Sequence, residues 1–134
     1  MDVIVKLSEQ FAQSTDERAK AIQPRYAIVT KGWLRVSHHV ERDRRFSTDE
    51  VPVYTHANQT PLEPGKIYKL EIPLLPHGWR FAKGNRIRVE ISCADSPVTD
   101  FLFSHIFRPD KLGTDTIHHN AEYLSELVLP VLDE

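Results

Sequence analysis

Arg86 to Cys93 reads R-I-R-V-E-I-S-C, with Ile87, Val89, Ile91 and Cys93 alternating strictly with Arg86, Arg88, Glu90 and Ser92. Successive side chains on a strand point to opposite faces, so this period predicts a strand with one buried and one wet face. Just upstream, Ile67 to Leu74 repeats the pattern, with Tyr68, Leu70 and Ile72 opposed to Lys69 and Glu71. Pro73 and Pro76 cannot donate ladder hydrogen bonds, so that strand ends there or lies at an edge. Glycine- and proline-rich turns join the two segments, making Pro61 to Ser92 a pair of strands rather than a helix.

The rest of the chain agrees. Val3 to Leu7 is short and β-branched, with Val3, Val5 and Leu7 on one face. Tyr26 to Ser37 is extended, with a bulge or bend at Lys31-Gly32. Leu34 and Val36 face one way there, and Trp33, Arg35 and Ser37 the other. Val53 to His56 and Thr114 to His118 read as brief strands. Leu127 to Leu132 is nearly continuous apolar, as a strand buried on both sides would be. One helical turn is expected over Asp16 to Ala21, capped by Thr15 or Asp16 and stopped by Pro24. Glu41 to Glu50 is a solvated loop, and Asn58 to Gly65 is turn chemistry. Ala94 to Gly113 is a long connection whose Phe101, Phe103, Ile106 and Phe107 fit packing on itself or over a core edge. Short strands without a long helical period define an all-β sandwich or barrel.

Composition narrows the function classes. A chain of 134 residues, 40% hydrophobic and 27% charged, is most simply one globular domain over residues 1–134. A formal net charge of -2 supplies no field for nucleic acid or an anionic membrane. No apolar stretch approaches the roughly 20 residues that span a bilayer. The single Cys93 excludes an internal disulfide and a cysteine-cluster zinc site, and fits a cytoplasmic setting.

Candidate chemistry is thin. The pairs His38-His39 and His118-His119 point adjacent residues to opposite faces, so each pair offers at most one ligand per site. Asp95 and Asp115 could add carboxylates, but no metal-ligand spacing accompanies them. No metal and no cofactor is expected. None of the serines is flanked by glycine, so the strained turn of a serine nucleophile is missing. No catalytic residue is therefore assigned. Cys93, on the apolar face of its strand, reads as a small buried hydrophobe rather than a thiolate. Arg80, Lys83, Arg86 and Arg88 beside Trp79 and Phe81 resemble a single-strand nucleic-acid platform in miniature. In a chain of net negative charge they fit a solvated face better. Trp33 and Trp79 fall on opposite sides of the sheet system and read as core or interface anchors.

Four segments in order, Val29 to His38 (V-T-K-G-W-L-R-V-S-H), Leu62 to Ile72 (L-E-P-G-K-I-Y-K-L-E-I), Phe81 to Ser92 (F-A-K-G-N-R-I-R-V-E-I-S) and Ser125 to Val131 (S-E-L-V-L-P-V), carry a resemblance. Together they resemble the C-terminal non-catalytic domain of the X-Pro dipeptidyl-peptidase and cocaine-esterase/acylase group of hydrolases. Val3 to Phe11 looks like a strand of the same domain. The resemblance implies a jelly-roll β-sandwich, galactose-binding-domain-like, whose Ser-Asp-His triad lies in a separate α/β-hydrolase domain. It implies an accessory role: packing on that catalytic domain, in cis or in trans, and shaping its active-site entrance. Trp33, Trp79 and Phe81 are the contact candidates. Where the family tends to show an aromatic-His-Asp, this chain has His118-His119-Asn120. The family's jelly roll also begins with strands upstream of the one matching Asp2 to Leu7, so the chain is expected to lack its first strands. Strand exchange or homodimerisation would then cover the open edge. The alternative function is a free-standing carbohydrate-binding module centred on Trp79.

Overall fold

The computed structural model describes residues 1–93, 109 and 112–132. Its centre is one antiparallel sheet of three strands, β1 (Asp2–Gln10), β2 (Tyr26–Arg35) and β3 (Arg86–Ser92), in the order β2-β1-β3. A short helix, α1 (Glu17–Ile22), connects β1 to β2, and a 3-10 turn over Val36–His38 follows β2. The helical turn therefore stands one residue beyond its expected place; the Asp16 carboxylate accepts the Arg18 N–H at 2.9 Å and so caps it. The all-β, antiparallel class read from the sequence holds, and it is that of a β-sandwich domain.

Register fixes the faces. Val3 pairs with Leu34, Val5 with Gly32 and Ile91, Leu7 with Thr30 and Val89, and Glu9 with Ala27 and Ile87. These residues share one face, and Ile4, Trp33, Lys6, Lys31 and Glu90 occupy the other. As the central strand, β1 is buried almost throughout: Val3, Ile4, Leu7 and even Lys6, Ser8 and Glu9. Leu34 is 1% exposed, and Val29, Val36 and Tyr54 complete the core. Burying a side chain the size of Leu34 contributes about 1.5–3 kcal/mol relative to leaving it in water.

Gly32 does not bulge. The irregularity sits opposite Leu7 and Ser8, where Val29 is the extra residue between Thr30 and Ile28. Gly32 is instead a point of close approach: a Cβ there would overlap the Pro73 carbonyl. Ile67 to Leu74, expected as a strand, is not one. The segment crosses beside β2 and makes one ladder-like bond, from Leu75 N–H to Lys31 O at 3.0 Å. Pro73 and Pro76 remove the neighbouring donors.

Other expected strands are reduced or absent. Val53 to His56 forms an isolated bridge, Tyr54 with Arg42, closed by bonds from Asp43 N–H to Val53 O and Thr55 N–H to Glu41 O. Thr114 to His118 and Leu127 to Leu132 carry no strand, and Val128, Val131 and Leu132 stand exposed. A continuous apolar run shows an appetite for burial without supplying the second layer. The same reason corrects the reading of β3. Its alternation is real, yet Ile87, Val89 and Ile91 are 52%, 43% and 43% exposed, and Cys93 is exposed too. The Phe101, Phe103, Ile106 and Phe107 reading falls outside the described residues.

Candidate functional site

The most developed polar site is built on Glu9. The inward register of β1 runs Val3, Val5, Leu7 and then Glu9, which places a carboxylate where an apolar side chain is expected. Glu9 is only 3% exposed. An ionised carboxylate so placed needs its lone pairs filled. The segment entering β3 fills them: Asn85 Nδ2 donates to Oε1 at 2.6 Å, the Ala82 N–H to Oε1 at 2.8 Å, and Trp79 Nε1 to Oε2 at 2.8 Å. Asn85 also accepts the Ala12 N–H on its Oδ1 at 3.0 Å, tying in the chain beyond β1. These bonds, led by that of Asn85, hold the Glu9 carboxyl below its ordinary range despite the opposing effect of desolvation. One side chain thus pins residues 79 to 85 onto the end of the sheet.

The three contact candidates fall in different places. Trp79 is 43% exposed, with its indole N–H committed to Glu9 and the His77 ring 6.1 Å away. Phe81 lies half-buried in the same pinned segment. Trp33, 56% exposed, pairs with Ile4 on the opposite face, so the structure does not bring it to the other two. Glu9 itself escaped sequence reading. Its signal was an acidic residue in phase with Val3, Val5 and Leu7.

Several remaining candidates have ordinary partners, although His38 Nε2 is buried without a hydrogen-bond partner among the described residues, and Asp95 lies outside them. His38 Nδ1 meets His56 Nδ1 at 2.9 Å, one ring donating to the other, and His39 Nδ1 lies 2.7 Å from Val36 O. His56 occupies the left-handed region, at φ 54°. The His118 ring packs against Tyr123, and Asn120 Oδ1 accepts the Glu122 and Tyr123 N–H groups in a local turn. Among the described residues, no three His, Cys, Asp or Glu side chains converge as a metal site would require. Arg88 lies over the Tyr26 ring at 4.2 Å and pairs with Glu90 at 2.7 Å. Arg88 thus reaches across β1 to β2 and pairs along its own strand. Cys93 Sγ lies 3.6 Å from Asp115 Oδ2; partial desolvation, then that carboxylate, push the thiol up and keep it protonated.

A shallow cavity of about 340 Å³ lies between residues 28–31 of β2 and Leu75, Pro76 and His77. Its His77 wall lies two residues before Trp79. No helix among the described residues is long and apolar enough to cross a membrane.

Among the described residues, fold and site define an all-β module in which a polar network fastens chain to sheet and the apolar face of β3 is about half exposed. The chain belongs to the family of the X-Pro dipeptidyl-peptidase C-terminal non-catalytic domain, whose model matches residues 1–128. Two relatives, from Mycobacterium bovis and Mycobacterium tuberculosis, are each named "Putative serine esterase". Each is 31% identical over 116 residues, covering 81% of this chain and 17% of the relative. The chain thus spans under a fifth of the length of these relatives. No solved structure matches.

Proposed function

We propose that this chain is the non-catalytic β-domain of an α/β serine hydrolase, folded as one unit over residues 1–134. In this reading it packs on the catalytic domain and shapes the entrance to the active site. The esterase names of the relatives, and the large part of their length outside the match, support a hydrolase partner. The observation that carries the reading is the open face of β3. Ile87, Val89 and Ile91 form a stripe continuous with the core face of β1, and such a stripe normally meets another layer. The single free cysteine supports a cytoplasmic site of action.

The test is ester hydrolysis. The purified chain is expected to show no activity above background. A mycobacterial relative whose matching segment is replaced by this chain is expected to hydrolyse a p-nitrophenyl ester. Hydrolysis by the chain alone would make it an enzyme in its own right. Glycan binding abolished by Trp79→Ala would make it a carbohydrate module.

A further inference from the structure

We propose that Glu9 is a positioning residue that presents Trp79 and His77 as a preorganised aromatic anchor for the hydrolase portion of a longer chain. This rests on the accessory-domain reading and adds to it where the contact is made and what holds it ready.

Three observations converge. First, Trp79 combines solvent exposure with a fixed orientation. Its indole N–H is bonded to a buried carboxylate, and that carboxylate also binds Ala82 N–H and Asn85. A side chain already held in its bound pose loses little rotamer freedom on docking, and tryptophan is among the commonest anchors of protein interfaces. Trp33 and Phe81 show no comparable side-chain bond among the described residues.

Second, the anchor is continuous with the open stripe. Glu9 pairs in register with Ile87, so the residue that holds Trp79 heads the row running through Val89 and Ile91. A single docked surface would cover anchor and stripe together. Third, His77, whose ring lies 6.1 Å from that of Trp79, lines the cavity with Leu75 and Pro76, which leaves room for a side chain of the partner. The occupant is the hydrolase portion rather than a second copy or a glycan. The matched segment is 17% of each esterase relative, so most of such a chain lies outside this domain and is available to cover it.

Why a carboxylate serves here follows from donor counting. Three donors converge on Glu9, two on Oε1 and one on Oε2. Glutamine has one acceptor oxygen and an amide that would face donors, so Glu9→Gln must break at least one bond. Trp79→Phe keeps an aromatic ring but uncouples it from Glu9.

Hydroxyl-radical footprinting tests the proposal on the relative carrying this chain in place of its own segment. Trp79 oxidation is expected to fall at least about 5-fold in the chimera relative to the free chain. Glu9→Gln is expected to return most of that reactivity while Ile91 stays protected, and to raise KM for the ester more than it lowers kcat. Asn85→Ala, which leaves the carboxylate in place, is expected to do the same more weakly. A chimera without esterase activity overturns the accessory-domain reading itself. An active chimera in which Trp79 oxidises as fast as in the free chain overturns the anchor alone. Trp79 protection unchanged by Glu9→Gln overturns the positioning role.

Discussion

β1 and β3 are neighbours in one sheet, both alternate, and they meet opposite fates. Nearly every side chain of β1 is buried, including Lys6, Ser8 and Glu9, whereas the apolar residues of β3 are about half exposed. The difference lies in position rather than in composition. β1 is flanked by a strand on each side and lies beneath other chain, so even its polar members are enclosed. β3 is at the sheet edge among the described residues, and its apolar face lacks a comparable cover. Alternation therefore tells which side chains share a face, while burial depends on what lies over that face.

Substitutions from the core outward test this contrast. Leu34→Ala removes a fully buried side chain facing Val3 and is expected to cost about 2–5 kcal/mol in denaturant unfolding. Gly32→Ala must displace the Pro73 carbonyl, at an expected cost of about 1–3 kcal/mol. Asn85→Ala leaves the strands intact but removes a bond to Glu9, and its melting midpoint is expected to fall by roughly 4 to 8 °C. Val89→Thr in the free chain is expected to stay within about 0.5 kcal/mol, because Val89 is 43% exposed. A Val89→Thr cost comparable to that of Leu34→Ala would show that the β3 face is covered within the chain itself.

Acid gives another handle. Hydrogen bonding holds the Glu9 carboxyl below its ordinary 4.5, so the folded chain binds fewer protons there than the unfolded chain. That stabilisation is present above about pH 4.5 and is lost as pH falls through the depressed folded value. Asp43, held low by Arg45, acts with the same sign. The expected outcome is a melting midpoint that drops on acidification below pH 4.5, less steeply in Glu9→Gln. Equal slopes would remove Glu9 from the account.

The sheet's own strands were legible because their periods are strong: β3 nearly to the residue, β1 and β2 in place though with shifted ends. The segments over Ile67 to Leu74 and Leu127 to Leu132 were misread as strands for a shared reason. Apolar content there was sufficient, but a ladder needs a paired neighbour with free donors, and prolines 73, 76 and 130 deny some of them. Trp79 stands out in the sequence as an anchor candidate by residue type. Glu9 does not, since an acidic residue near a strand end ordinarily marks the solvent side. Only register reveals that it continues the Val3, Val5, Leu7 row.

We propose above that a hydrolase partner completes the β3 face. Hydrogen–deuterium exchange, compared between the free chain and the chimera with a mycobacterial relative, tests it most directly. The account predicts that β3 amides exchange at least about 10-fold more slowly in the chimera while β1 amides, already protected, hardly change. β3 amides exchanging equally fast in both, or already as slowly as β1 in a free monomer, would contradict it.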